Sequence, residues 1–108
     1  MFGIYMLVKS QTTKHTIAAF LKSGALVIDV RSKLEWGQGH FSTAVHIPVE
    51  QFEARLAEIG SDKSRPIIVY CRAGTRAAVA ETILRKNGFA KVINARGLDA
   101  LKKYDAGK

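Results

Sequence analysis

Short apolar runs alternate with segments of helical spacing along the chain, and the apolar runs predict strands. Leu26–Val30 and Ile67–Tyr70 are rich in β-branched residues, a pattern typical of strands covered on both faces of a sheet. Tyr5–Val8, Ala44–Ile47 and Lys91–Asn94 are shorter or less regular, and we predict a strand at each of them. The strand at Tyr5–Val8 is expected at an edge of the sheet.

The segments between the strands carry apolar residues three and four positions apart, which predicts amphipathic helices. Ser32 followed by Glu35 is a capping box, so a short helix is expected to start there and to end near Gly37 or Gly39. The remaining predicted helices are Thr13–Lys22, Gln51–Ile59, Ala77–Asn87 and Leu98–Tyr104.

This alternation of strands and helices indicates an α/β protein. We expect a three-layer sandwich in which a central, mainly parallel sheet is flanked by helices. The 108 residues are too few for two separately cored units, so residues 1–108 are predicted to form a single domain. Hydrophobic residues make up 47% of the chain and charged residues 24%, which is the composition of a folded protein rather than a disordered one.

Charge and cysteine content narrow the function classes. The chain carries 17 Lys and Arg against 9 Asp and Glu, a net charge of +8 that favours anionic partners. The basic residues are scattered without interleaved aromatics, so nucleic-acid binding is not expected. No stretch approaches the roughly 20 apolar residues of a membrane span, and no targeting segment is expected in Met1–Val8. A single cysteine excludes an internal disulfide and favours the reducing cytoplasm.

The residues that follow the second buried strand are the strongest candidates for chemistry. In parallel sheets, ligands lie beyond the carboxyl ends of the strands, where the amides of the next helix point at one spot. Cys71 occupies that position, and the helix N-terminus together with Arg72 and Arg76 favours its thiolate. Gly74 allows a tight turn around a bound atom, and Thr75 is expected to cap the helix or to offer a hydroxyl.

An unpaired cysteine at the end of a core strand is often only a small buried hydrophobe. The arginines and the glycine within five residues of Cys71 favour a reactive thiol instead. No histidine lies beside Cys71 in sequence, so a hydrolase with a cysteine and a histidine base is not indicated. His15, His40 and His46 are far apart and lack metal-ligand spacing, so no metal site is expected.

The loop Cys71–Arg76 is accompanied by other blocks of residues. These blocks are Leu26–Arg31, Glu35–Trp36, Gly39–His40, His46–Pro48, Gly88–Phe89, Val92, Asn94 and Gly97–Leu98. In their order and spacing, over most of the chain, they resemble the rhodanese (thiosulfate sulfurtransferase) superfamily in its small single-domain form. Cys71–Arg76 is similar to the active-site loop of that family. The resemblance implies an α/β fold with a central, mainly parallel sheet, as the periodicity indicates independently.

The resemblance also implies a sulfurtransferase that needs no metal or organic cofactor. Its nucleophile would be the Cys71 thiolate, which takes the outer sulfur of thiosulfate or a similar small anionic donor as a persulfide. A thiol or cyanide would accept that sulfur, or an acidic acceptor protein would dock on the basic surface. The residues expected to hold the donor and the persulfide are Arg72, Ala73, Gly74, Thr75 and Arg76.

Charged and aromatic residues after the first buried strand have a structural interpretation. Asp29 and Glu35 are expected to cap the chain and to form ion pairs that hold the loop. Trp36 and His40 are expected to pack and to stabilise a turn rather than to contact substrate. Arg31 is a weaker candidate for a contact with the pocket.

Three positions depart from the pattern of the family. Ser42 and Thr43 stand where the family usually has a Pro and a Gly, and Arg96 replaces the first residue of its late Gly-Gly pair. All three concern turn geometry near the rim of the site. They therefore bear on substrate access and preference, while the Cys71 loop is intact.

Two other functions remain open for the same loop. An oxyanion phosphatase or arsenate reductase also places a cysteine and an arginine in an amide-lined loop. Four residues separate Cys71 from Arg76, however, whereas the relatives that accept phosphate have a loop with one more residue. The shorter loop suits a sulfur atom better than a tetrahedral phosphoryl group. A persulfide carrier or regulatory module would load sulfur on Cys71 without turning over free small acceptors.

Overall fold

The computed structural model describes residues 16–105, and its centre is a sheet of four parallel strands. The strands are β1 (Leu26–Asp29), β2 (Val45–His46), β3 (Ile67–Cys71) and β4 (Val92–Gly97). Their spatial order is β2-β1-β3-β4, so the two longest runs of apolar residues lie side by side in the middle. The predicted strand at Tyr5–Val8 lies outside the described residues.

Helices and short turns connect the strands. Residues 16–22 form helix α1, the described part of the predicted helix Thr13–Lys22. The other helices are α2 (Lys33–Gly37), α3 (Thr75–Lys86) and α4 (Asp99–Lys102). Within residues 16–105, no helix is long and apolar enough to cross a membrane.

Strand β3 divides the core into two layers, since all five of its residues are buried and successive side chains point to opposite faces. Ile67, Val69 and Cys71 pack into the cluster that also contains the buried face of α3. Ile68 and Tyr70 pack on the other side, in the cluster that contains Ile17 of α1 and Leu101 of α4. The predicted three-layer α/β sandwich is therefore confirmed.

The predicted helix at Gln51–Ile59 is wrong. The segment forms two 3-10 turns, Val49–Gln51 and Leu56–Ile59, separated at Arg55, whose φ of −105° and ψ of 14° leave the helical region. Phe52 and Ile59 are nevertheless buried, as their spacing indicated. A spacing of three residues, as between Leu56 and Ile59, places side chains on one face of a 3-10 turn as well as of an α-helix, so the pattern identified buried positions but not the backbone.

Other element boundaries differ by a few residues. Helix α3 begins two residues before the predicted Ala77, and β4 continues three residues past the predicted Asn94. The last helix is shorter than the predicted Leu98–Tyr104, although Leu101 is fully buried as expected. The extension of β4 matters most, because it brings Gly97 into register with Cys71 at the carboxyl end of the sheet.

Candidate active site

Cys71 is the last residue of β3, and its sulfur is held by the main chain that follows it. Sγ accepts hydrogen bonds from the amide of Gly74 at 3.1 Å and from the amide of Ala77 at 3.4 Å. Gly74 makes this turn possible because its φ of 103° lies in the region that favours glycine. The residue Cys71 itself retains only 1% of its surface exposed.

Burial and hydrogen bonding act on this thiol in opposite directions. Burial raises the pKa of Cys71, while hydrogen bonds from the amides of Ala77, Gly74, Ala73 and Arg76 lower it. The net result is a pKa below the usual value for cysteine. Main-chain amides that face the sulfur favour its anionic form, and an anionic thiol needs no partner base to act as a nucleophile.

Arg76, which the sequence predicts to act on Cys71 together with Arg72, is bound by a carboxylate. Its guanidinium donates to both carboxylate oxygens of Glu35, at 2.7 and 3.1 Å. Glu35 also closes the capping box with Ser32, and the bond from Arg76, then those from Ser32, lowers the pKa of Glu35 to about 2. The prediction that Glu35 is a capping carboxylate and an ion-pair partner is confirmed, and its charge compensates that of Arg76.

A second ion pair holds the chain after β1. The carboxylate of Asp29 is fully buried and accepts from the amide of Arg31 at 2.9 Å and from its guanidinium at 2.7 to 3.1 Å. The guanidinium also donates to the carbonyl of Gly39 at 2.7 Å. Asp29 is structural, as predicted, and Arg31 is engaged by these partners rather than presented to a pocket.

The indole of Trp36 lies between two imidazoles. The ring of His40 stacks on it at 3.4 Å between centroids and that of His46 at 4.8 Å, with interplanar angles of 3° and 14°. Nδ1 of His40 lies 3.0 Å from the carbonyl oxygen of Trp36, and Nε2 of His46 lies 2.7 Å from that of Arg31. The predicted packing and turn roles of Trp36 and His40 are confirmed.

The remaining residues of the loop differ in their exposure to solvent. Arg72, Ala73 and Thr75 are exposed, whereas Gly74 is buried. Thr75 is the first residue of α3 and Gly74 is its N-cap, which has no side-chain hydrogen bond. Of the two roles expected for Thr75, capping is not observed, while the offer of its exposed hydroxyl stays a prediction. The first amides of α3 stay available to the sulfur.

Residues outside the predicted loop complete the site. The amide of Ala77 is one position beyond the amides that the sequence indicated. Asn94 donates to the carbonyl of Gly74 at 2.9 Å, and a Cβ added to Gly97 would lie 2.6 Å from the carbonyl oxygen of Arg72. Asn94 and Gly97 belong to the blocks that carried the resemblance, but no local pattern indicated their contacts with the loop.

A surface depression of about 540 Å³ lies at the opposite edge of the sheet, where β1 and β3 begin. Its lining includes Gly24 and Pro66 and none of the residues of the Cys71 loop. It offers no cysteine or histidine, and its Asp62 is already bonded to Ser64. Within residues 16–105 no group of three or more His, Cys, Asp or Glu is arranged to hold a metal ion. The candidate chemistry is thus concentrated at Cys71.

Several known proteins resemble this chain in sequence and in fold. The family model described as "Rhodanese-like domain" matches residues 13–102. The chain belongs to the rhodanese-like family. It is 38% identical to the thiosulfate sulfurtransferase PspE of Escherichia coli over 71 residues, which cover 66% of this chain and 68% of that protein. A sulfurtransferase of Allochromatium vinosum is 35% identical over 72 residues, 67% of this chain and 65% of the relative.

Another rhodanese-like relative is much longer than this chain. A tRNA uridine(34) hydroxylase of Cronobacter sakazakii is 36% identical over 77 residues, which cover 68% of this chain but only 22% of the hydroxylase. Solved structures share the fold: a rhodanese from Escherichia coli has a TM-score of 0.65 at 36% identity and covers 70% of this chain and 89% of that one. The rhodanese-like family therefore includes proteins whose names point to different activities.

Proposed function

We propose that this chain is a sulfurtransferase that moves a sulfane sulfur from thiosulfate or a similar donor to a thiophilic acceptor through a persulfide on Cys71. One observation carries the proposal: Sγ of the only cysteine accepts hydrogen bonds from the amides of Gly74 and Ala77. Membership of the rhodanese-like family and the sulfurtransferase names of two relatives support it.

The first step breaks one sulfur–sulfur bond and forms another. The Cys71 thiolate attacks the outer sulfur of thiosulfate, and the bond between the two donor sulfurs breaks. Sulfite leaves with the electron pair of that bond, and the enzyme retains a persulfide anion. Because a thiolate attacks and a persulfide anion forms, no proton has to be removed during the step, which explains how the site dispenses with a general base.

The second step regenerates the enzyme. An acceptor such as cyanide or a thiolate attacks the outer sulfur of the persulfide, and the Cys71 thiolate leaves. With cyanide the product is thiocyanate. The two half-reactions share one covalent intermediate, so ping-pong kinetics are expected, and neither half-reaction requires a metal or an organic cofactor. The amides that hold Sγ disperse the negative charge that remains on the site throughout both steps.

Access to the sulfur restricts the kind of donor. Cys71 is 1% exposed, while Arg72, Ala73 and Thr75 of the same loop are exposed. A donor must therefore enter past these outer residues and present a terminal sulfur. A small anion with a terminal sulfur meets this requirement better than a bulky disulfide.

Intact-protein mass spectrometry before and after thiosulfate tests the proposal. We expect wild type to gain one sulfur and to lose it to cyanide with release of thiocyanate, and the Cys71→Ser variant to gain none. Absence of the added sulfur in folded wild-type protein would overturn the assignment. Stoichiometric loading without turnover of free cyanide or thiols would instead favour a persulfide carrier.

The same preparations separate the proposal from phosphatase chemistry. Incubation with an aryl phosphate is expected to release no phenol in either wild type or Cys71→Ser. Hydrolysis that is lost in Cys71→Ser would favour a phosphatase and contradict sulfur transfer as the main activity.

We further propose that the protein works in a reducing compartment such as the cytoplasm, because an unpaired thiolate is readily oxidised elsewhere.

A further inference from the structure

The pairing of β3 with β4 is irregular beside the Cys71 loop. Val69 pairs with Asn94 and Cys71 with Gly97, so two steps along β3 are matched by three along β4. An extra residue of this kind forms a β-bulge, which redirects side chains and is common next to active sites. The bulge contains Arg96, whose φ is 73°.

Arg96 adopts a backbone conformation that disfavours arginine. Among residues 16–105 it is the one non-glycine residue with a positive φ, and left-handed backbone is unfavourable for residues that carry a Cβ. Glycine would adopt this conformation without that penalty. Strained residues of this kind cluster at active sites and ligand-binding positions, so the position calls for a functional explanation.

The bulge is fastened to the loop that carries the nucleophile. The side chain of Asn94 accepts from the amide of Arg96 at 2.8 Å and donates to the carbonyl of Gly74 at 2.9 Å. On the next residue, Gly97, an added Cβ would lie 2.6 Å from the carbonyl oxygen of Arg72. The backbone around Arg96 is therefore held in a fixed position relative to Cys71.

The side chain of Arg96 runs along this loop and is not compensated. A Cβ added to Gly74, whose amide donates to Sγ, would lie 3.2 Å from Cγ of Arg96. Arg96 is exposed, and within residues 16–105 its guanidinium has no hydrogen-bond or ion-pair partner. Arg76 differs, since its charge is compensated by Glu35.

We propose that Arg96 is a donor-recognition residue, which binds the oxyanion end of a small sulfane-sulfur donor while the terminal sulfur of that donor approaches Cys71. This inference rests on the proposed sulfur transfer and names the side chain that selects its substrate. It adds an uncompensated cation to the arginines that the sequence predicts to hold the donor, Arg72 and Arg76, and it gives a reason for an arginine where the backbone favours glycine. Arg72, the exposed arginine of the Cys71 loop itself, adds to the positive electrostatic field that attracts an anionic donor.

Binding of thiosulfate itself tests this proposal without requiring turnover. Isothermal titration of the Cys71→Ser protein is compared with the double variants that add Arg96→Gln or Lys86→Gln. Both second changes remove one positive charge, but Lys86 lies at the far end of α3. We expect Arg96→Gln to weaken binding roughly tenfold, or ~1.4 kcal/mol, and Lys86→Gln to change it less than about twofold because that charge is screened.

Kinetics with Cys71 intact add a readout that a purely structural role would not give. Arg96→Gln is expected to raise KM for thiosulfate roughly tenfold, by the same ~1.4 kcal/mol, with kcat nearly unchanged. Arg96→Lys should retain most of the affinity. Arg96→Gly suits the backbone and keeps the protein folded should Arg96→Gln fail to fold, and it should lose affinity to the same extent.

Three results would overturn the proposal: equal effects of Arg96→Gln and Lys86→Gln, a fall in kcat without a change in KM, or no binding of thiosulfate by Cys71→Ser. Failure of the proposed function is a different result. In that case thiosulfate binds in an Arg96-dependent manner, but wild type acquires no persulfide.

Discussion

Two neighbouring loops follow the two central strands at the same edge of the sheet, and they are built in different ways. The loop after β1 is held by side chains, since Asp29 binds Arg31, and Ser32 and Glu35 cap α2. The loop after β3 is shaped by the main chain. The N-cap of α3, Gly74, forms no side-chain hydrogen bond, and the first amides of the helix point at Cys71. A capped helix start has its amides satisfied, whereas an uncapped one can stabilise an anion.

The difference supports a structural role for the first loop and the chemical role that we propose for the second. Two ion pairs involve the first loop. Asp29 binds Arg31 within that loop, and Glu35 binds Arg76 of the second loop. These two ion pairs, which we call the brace, hold the first loop and join it to the second. Variants that disturb the brace should affect stability first, and variants that move the amides around Cys71 should affect activity first.

The largest effect is expected from breaking the brace at its buried charge. Asp29→Asn leaves the guanidinium of Arg31, whose side chain is 11% exposed, without its carboxylate. Removing one partner of a buried ion pair should lower the free energy of unfolding by about 3 kcal/mol. Chemical denaturation measures the loss. Glu58→Gln removes the exposed partner of Arg55 and serves as the control, with no measurable change expected.

Moving the main chain of the second loop should have the next largest effect. In Gly97→Ala the new methyl group would collide with the carbonyl of Arg72, so the Cys71 loop must shift. We expect a loss of about 1–3 kcal/mol in the free energy of unfolding and a disproportionate fall in persulfide formation. Gly37→Ala, which has nothing within 4 Å, is the matched control and should be neutral or slightly stabilising. Equal behaviour of the two variants would contradict the tight contact.

Releasing the contact between the loops should have a smaller, pH-dependent effect. Glu35→Gln removes the carboxylate that binds Arg76 and closes the capping box, at a cost of about 1 kcal/mol. The pKa of Glu35 is lowered to about 2, from about 4.3 in an unfolded chain. Its contribution to stability is thus fully present above the unfolded pKa and is lost as the pH falls towards 2.

Denaturation of wild type and Glu35→Gln at a series of pH values measures that contribution. The difference in unfolding free energy between the two proteins should be constant above about pH 5 and should shrink between pH 4 and pH 2. A difference that stays constant through this range would mean that Glu35 does not form the charged contacts described above.

The smallest effect compares the two helix starts directly. Ser32→Ala removes a side-chain cap and should cost about 1 kcal/mol of stability. Thr75→Ala changes a hydroxyl residue at the start of α3, where no side-chain cap exists, and should stay within about 0.5 kcal/mol of wild type. Thermal or chemical denaturation distinguishes them. A larger loss for Thr75→Ala would contradict the uncapped start of α3.

Local sequence patterns predicted much of this architecture. Buried β-branched runs marked β1 and β3, and Ser32 with Glu35 marked the start of α2, because each signal acts over a few neighbouring residues. The loop after β3 was recognised for the same reason, since Cys71 follows a buried strand and precedes a helix. The pattern at Gln51–Ile59 could not distinguish 3-10 turns from an α-helix.

The contacts that shape the site were beyond such patterns. Arg76 and Glu35 are 41 positions apart, so their pairing depends on how the sheet brings two loops together. The bulge at Arg96 depends on the register between β3 and β4, which no single segment encodes. The sequence therefore pointed to Cys71, with Arg72 and Arg76 as nearby cations, but it could not show that Glu35 compensates the charge of Arg76 or that Arg96 lies uncompensated beside the loop.

The central claim is that convergent main-chain amides lower the pKa of Cys71 and so favour its thiolate, and direct titration of that thiol tests it. Because Cys71 is the only cysteine, the ultraviolet absorbance of its thiolate is measured against pH with Cys71→Ser as the blank. We predict a midpoint below the value of about 8.5 for an ordinary cysteine. A midpoint at or above that value in the folded protein would contradict the account.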